Sequence, residues 1–413
     1  MAEPVEQTAR IESIDVLRGF ALLGILLLNI LAFGLHSAGY FNPLISIGET
    51  ETSRLLNLGT WASVSVLFEG AMRCLFSMLF GAGVVLFTTG RAKAGSLHYR
   101  RNFWLLVFGV VDAFILLWNG DILMVYAVSG AILYGLRNRS PRTLVITSGV
   151  LIVLMGGLNG GLAYSLGQAR MVGEAAWTDF EVQNNPPVEA YEAELAERRE
   201  SYPSAFIWTA DHMVEIVVVI YPVFLIPDAL AMMLLGMALF KLGALDASRP
   251  IGWYATLAAV GFGVGLLTNL WELRQALVAD LDTLSTMPLM VPTYHLGRLG
   301  MALGYLGLVM IVCKRRALPR VRGALAAVGR MALTNYLMHS LVCLVLFTGL
   351  GFALAGVLER WQLYPIVFAI WAFQLWFSPW WLARHRFGPA EWIWRSLTYG
   401  TRPPLRRVLG PAR

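Results

Sequence analysis

Asp15 and Arg18 stand three residues apart at the head of a long apolar run, in Asp15-Val16-Leu17-Arg18-Gly19. On a helix they share one face. An ionisable group inside such a run costs about 2.5–3.5 kcal/mol to place at mid-membrane and is by default a candidate for function. The plainer reading is an acid at a helix N-terminus beside a snorkelling arginine. Asn29 lies about three turns deeper, and His36 closes the run. A lone histidine there serves structure more often than catalysis. Asp112 falls inside a later apolar run and needs a partner or a cavity. Asp121, in the tight turn Trp118-Asn119-Gly120-Asp121, fits a helix N-cap. Arg73, with Glu69, flanks the start of the second apolar run, and Arg298 is buried by its position in another. Asn335 and His339 are four apart and would share a face of one helix. Histidine suits a general base near neutral pH, and asparagine or arginine suits an oxyanion or a phosphate. His212 and Glu215 share a helix face as well, but no third ligand has suitable spacing, so no metal site is expected.

These residues need elements to hold them. The chain has 413 residues, 57% of them hydrophobic and only 14% charged, whereas a soluble domain is nearer half apolar and a quarter charged. The apolar excess comes in blocks of membrane-spanning length, and helices satisfy their own backbone polar groups in lipid. The expected fold is therefore all-α: a polytopic integral membrane helix bundle of about ten transmembrane helices, near 16–35, 72–90, 102–118, 120–136, 143–165, 220–241, 250–271, 293–313, 331–350 and 361–383. Stretches 53–71 and 204–219 read as amphipathic rather than spanning. The first run is too long for a signal peptide and reads as a retained helix. Cys74, Cys313 and Cys343 suggest neither a metal site nor a disulfide framework.

Basic residues collect in alternate connections: Arg91, Lys93, Arg100 and Arg101; Arg137, Arg139 and Arg142; Lys241 and Arg249; Lys314 to Arg322; Arg384, Arg386 and Arg395. The positive-inside rule puts these in the cytoplasm, with both termini, in a bacterial inner membrane. The main polar insertion, 174–200, has a net charge of −6, leaving +12 on the rest of the chain. Asn185-Pro186-Pro187 can start a helix there, expected on the outer face as a solvated segment or as a lid. The expected organisation is one membrane domain, 1–413, with N-terminal helices to 165, the outward insertion 166–204 and a C-terminal half from 205.

Three blocks carry a resemblance: Asp15-Val16-Leu17-Arg18-Gly19 through Asn29-Ile30; Leu75-Phe76-Ser77-Met78-Leu79-Phe80-Gly81-Ala82-Gly83 with Gly120-Asp121-Ile122-Leu123; and Tyr294-His295-Leu296-Gly297-Arg298 through Gly329-Arg330-Met331-Ala332-Leu333-Thr334-Asn335-Tyr336 to Gly388-Pro389-Ala390-Glu391-Trp392-Ile393-Trp394-Arg395. Together they resemble the YeiB-like bacterial membrane proteins, whose C-terminal half is a domain of unknown function, DUF418. The opening helix is also distantly similar to that of transmembrane acyltransferases such as heparan-alpha-glucosaminide N-acetyltransferase.

That second resemblance implies transfer of an acyl group from cytoplasmic acyl-CoA, a co-substrate rather than a bound cofactor, to a hydroxyl or amine on an envelope glycan, lipid or small molecule. Asp15 and Arg18 would fix the cytoplasmic end of the site. Asn29 would hold the donor carbonyl or orient the base mid-membrane, and His36, or else His339, would take the acceptor's proton. Asp112, Asp121, Arg298, Asn335 and Arg73 would contact substrate, and Arg91, Arg100, Arg101 and Arg137 would face the CoA phosphates. A transporter or flippase for a small amphiphile explains the same buried charges without chemistry, and a non-catalytic membrane protein remains a further reading. Membrane lipids are the expected partners, nucleic acid is not, and the oligomeric state stays open.

Overall fold

The structure, a computed structural model, describes residues 11–45, 48, 50–90, 93–173 and 175–407. Among them the only β-pairing is an isolated bridge between His385 and Arg406. The helices are α1 (Glu12–Gly34), α2 (Glu51–Leu67), α3 (Ala71–Thr88), α4 (Ala94–Phe114), α5 (Leu123–Leu136), α6 (Pro141–Val172), α7 (Ala175–Asn184), α8 (Val188–Glu200), α9 (Tyr202–Glu215), α10 (Ile226–Lys241), α11 (Ile251–Val278), α12 (Thr283–Lys314), α13 (Pro319–Arg330), α14 (Ala332–Phe347), α15 (Leu363–Arg384) and α16 (Pro389–Tyr399). A π-helical stretch, Ile216–Leu225, joins α9 to α10 and contains Pro222.

The protein is an all-α, multi-pass membrane protein. A helix falls on each of the ten expected spans. Among the described residues seven helical stretches are long and apolar enough to cross a bilayer, and α13 with α14, bent by 81° at Met331, makes an eighth. Helix α5 has 14 residues, which at 1.5 Å rise reach about 21 Å, short of a hydrocarbon core of about 30 Å. Helix α4 is long enough but carries Arg100, Arg101 and Asp112. The two pack together as a hairpin within the bundle. The amphipathic stretches do form helices, but α2 runs into α3, and α9 through the π-helical stretch into α10, as long apolar units.

Hydrophobicity cannot drive one helix against another in lipid, so close approach at small residues does. A β-carbon at Gly19 would collide with the Leu325 carbonyl, and one at Gly329 with the Asp15 carbonyl, so α1 and α13 cross backbone to backbone there. Gly81 and Gly236 do the same for α3 and α10, and Gly261, Gly265, Gly300 and Gly304 for α11 and α12. Gly19, the last residue of the Asp15–Gly19 motif, thus has a packing reason to be glycine.

The insertion forms α7 and α8, and α8 docks onto the end of α1. The last carbonyls of a helix lack intrahelical donors, and Arg198 of α8 supplies them: its guanidinium donates to the carbonyls of Ala32, Phe33 and Leu35 at 2.6–3.1 Å. Glu194 receives Arg198 at 3.0 Å, the Ser37 amide at 2.8 Å and the Ser37 hydroxyl at 2.6 Å. Leu195 packs against Gly356.

Candidate functional site

A cleft of about 210 Å³ lies at the end of the bundle that holds the start of α1. Five arginines line it: Arg18 of α1, Arg101 of α4, Arg330 at the end of α13, Arg386 from the α15–α16 connection and Arg395 of α16. Deeper in, Phe76, Phe80, Tyr126 and Tyr336 line it. A cationic mouth over an aromatic interior suits an amphiphile with an anionic end.

The second helix of the bent pair opens onto this cleft. The N-terminus of α14 has unsatisfied amides, and Glu391 of α16 caps it, accepting from the Leu333 amide at 2.7 Å, the Thr334 amide at 3.1 Å and the Thr334 hydroxyl at 2.6 Å. Burial pushes the Glu391 carboxyl up, and these bonds oppose that rise. Trp394 fixes α16 from the other side, donating to the Arg101 carbonyl at 2.9 Å.

Tyr336 forms part of the cleft wall and points its hydroxyl away from it. The oxygen accepts from Trp118 Nε1 at 3.0 Å and from the Ile122 amide at 3.2 Å, and the hydroxyl proton faces Asp121 Oδ1 at 3.5 Å. Asp121 caps α5 through the Leu123 and Met124 amides at 3.0 and 2.8 Å, as expected of that turn. Asp112 lies beside Asp121 and Ser340. It is fully buried, and neither of its oxygens has a hydrogen-bond partner.

The remaining sequence candidates divide among other places. Asp15 pairs with Arg18 at 3.0 Å, which orients the arginine at the cleft mouth. Asn29 is half-buried on α1 and does not line the cleft. The geometry speaks against His36 as a base. Its Nδ1 accepts from the Ala38 amide at 3.1 Å and its Nε2 donates to Glu194 at 2.9 Å, so both ring nitrogens are taken up in docking α8. His339 is bonded to Gln374 Oε1 at 3.1 Å, and Asn335 to Ser378 at 3.0 Å, in a ladder between α14 and α15 away from the cleft. Both are therefore placed as helix-packing groups rather than as site residues.

Arg298 and Arg73 meet in a separate buried cluster of α3, α10 and α12. Arg298 holds Asp228 with both terminal nitrogens, one at 2.9 Å, and also touches His295. Arg73 lies 3.7 Å from Asp228 and 3.3 Å from the Tyr294 hydroxyl, which donates to Glu69 at 3.3 Å. Asp228 escaped the sequence reading although the rule that singled out Arg298, charge inside an apolar run, applies to it equally.

Of the four arginines expected at CoA phosphates, only Arg101 lines the cleft. Arg100 packs near Gly400. Arg137 lies over the Tyr134 ring, 3.6 Å from its centroid, and bonds that residue's carbonyl. Arg91 lies outside the described residues. Arg330, Arg386, Arg395 and Glu391 take their place. All four were visible in the sequence, Arg386 and Arg395 as topological charge and Arg330 and Glu391 as parts of a family block.

Over 402 residues the chain is 30% identical to the "Uncharacterized protein YeiB" of Escherichia coli (strain K12), covering 97% of both chains. The chain belongs to the YeiB family. YxaH of Bacillus subtilis (strain 168) is 29% identical over 98% of each chain. Residues 239–401 match the family model "Protein of unknown function (DUF418)". The DUF418 region thus supplies α11 to α16, including three of the five cleft arginines. No solved structure matches the chain.

Proposed function

We propose that the protein is a membrane acyltransferase whose cleft takes a phosphate-bearing acyl donor, acyl-CoA, from the cytoplasm. The observation that carries this reading is the meeting of Arg18 with four further arginines over an aromatic interior. Arginine forks match phosphate oxygens, and the aromatic depth accepts the thioester and acyl chain. The basic connections put this end of the bundle in the cytoplasm, with both termini and with α8 outside.

Purified protein in lipid nanodiscs is expected to bind a long-chain acyl-CoA more tightly than free CoA or the free fatty acid. A hydrogen bond to a charged group contributes about 1.5–3 kcal/mol, so Arg18→Ala and Arg330→Ala each lower that affinity by about 10- to 150-fold. Mass spectrometry of lipids and envelope glycans from cells with and without the protein then identifies the acylated product. Absence of acyl-CoA binding sinks the reading.

One observation favours a second reading: no histidine lines the cleft. A carrier for an anionic amphiphile needs no base, and movement of a fluorescent anionic lipid across proteoliposomes without any acylated product would select it.

A further inference from the structure

Five cations crowd the connection between α12 and α13: Lys314, Arg315, Arg316, Arg320 and Arg322. Two of them are used inside the protein. Lys314 donates to the Ala247 and Ser248 carbonyls at 3.1 and 3.4 Å, and Arg322 pairs with Glu12 at 2.9 Å. Arg315, Arg316 and Arg320 are exposed and pair with no described acid. Two aliphatic side chains stand out among them, Leu318 at 61% and Val321 at 52% exposure. Arg316 and Leu318 have positive φ, 52° and 47°, a region that costs a leucine energy. The backbone thus holds Leu318 outward against its own preference.

The bend at Met331 decides where this group lies. The rungs Asn335–Ser378 and His339–Gln374 are one turn apart on each helix, so α14 runs beside the spanning α15. Helix α13, bent by 81° from α14, therefore lies close to the membrane plane, at the end of the bundle where α1 begins. An in-plane helix with arginines and exposed aliphatic side chains is suited to rest on a lipid surface. Cations clustered just cytoplasmic of a span attract anionic headgroups. The positive-inside rule asks for charge here, but it asks neither for the exposed Leu318 nor for arginines without acidic partners.

We propose that the α12–α13 connection and the start of α13 bind anionic phospholipid of the cytoplasmic leaflet. Arg315, Arg316 and Arg320 meet the headgroup phosphates, and Leu318 and Val321 enter the acyl boundary. The site does not depend on acyl transfer, yet it bears on the cleft. Helix α13 crosses α1 at Gly19 and Gly329 and ends at Arg330 on the cleft wall. A lipid seated at one end of α13 steadies the arginine at the other.

The full chain in nanodiscs of phosphatidylcholine alone, or mixed equally with phosphatidylglycerol, tests the site by hydrogen exchange. Phosphatidylglycerol should slow exchange across residues 315–330 at least fivefold, and phosphatidylethanolamine in its place should not. Raised salt should reverse the slowing in the unmodified protein, because exposed charges are screened. One arginine at an anionic surface strengthens attachment about fivefold, so changing Arg315, Arg316 and Arg320 together to Gln should weaken it by about 100-fold and abolish the slowing. Leu318→Gln, which leaves the charge intact, should reduce it. Native mass spectrometry of protein released from the mixed discs should find phosphatidylglycerol retained by the wild type and lost from the triple variant. Exchange that ignores phosphatidylglycerol in the wild type, or that slows equally in the triple variant or with phosphatidylethanolamine, overturns the site.

Discussion

Glu194 is the acid on which the docking of α8 turns. Burial alone would raise its carboxyl, but the His36 and Ser37 hydrogen bonds and the Arg198 charge outweigh that and hold it at about 2, against an ordinary 4.5. A depressed value means that its stabilising contribution is complete above pH 4.5 and is lost as pH falls from 4.5 towards 2. Protection of the α8 amides, corrected for intrinsic exchange, should accordingly fall across that window and stay flat above it. Glu194→Gln should lower it above pH 4.5, by about 3 kcal/mol for a broken buried pair, and the difference from wild type should vanish towards pH 2. Flat protection down to pH 2 would contradict this account. The same contact explains why His36 misleads in the sequence. Its type and position at the end of α1 are visible there, whereas its partner lies 158 residues further on and is one of eight acids in the insertion. Asp121 read correctly because an N-cap is a local property, as the Leu123 and Met124 bonds bear out.

Among elements, the crossing of α1 and α13 is the one with least tolerance. Any side chain at Gly19 or Gly329 must push two backbones apart. Gly19→Leu and Gly329→Leu should each cost more than the usual 1–3 kcal/mol of overpacking, visible as lost monodisperse protein on size exclusion in detergent. Gly83→Ala, where nothing lies within 4 Å of the added atom, should leave the elution profile unchanged. A Gly19→Leu protein as stable as the wild type would refute the close crossing. Helix positions were legible because apolar length is written in the sequence. The shortfall of α5, the bend at Met331 and the cleft-side placement of α16 were not. Each depends on what packs alongside: α5 on α4, and α16 on the free N-terminus of α14 through Glu391.

For the whole molecule, orientation is the property that the proposed function needs most. Charge alternation sets it, so a cysteine introduced at Glu189 should be modified by an impermeant maleimide added to intact cells, and one at Lys93 should not. The reverse pattern would place the cleft on the wrong side for acyl-CoA. The native cysteines do not confuse the readout, since Cys74 and Cys343 are buried and a Cys313→Ser background removes the third.

The closure of the cleft by α13 and α16 has a consequence for biosynthesis. Helix α1 is made first, yet Glu12 meets Arg322 across 310 residues of chain, and Trp394 reaches Arg101 across 293. While the ribosome is still at work, the small face around Gly19 has no partner helix and Arg18 has only Asp15 beside it. The opening helix must wait in the bilayer, or be shielded by the insertion machinery, until almost the whole protein has been delivered. A polypeptide interrupted before α13 would be threaded into the membrane with its first helix lacking that partner, and quality-control proteases that survey unpacked helices would find α1 there.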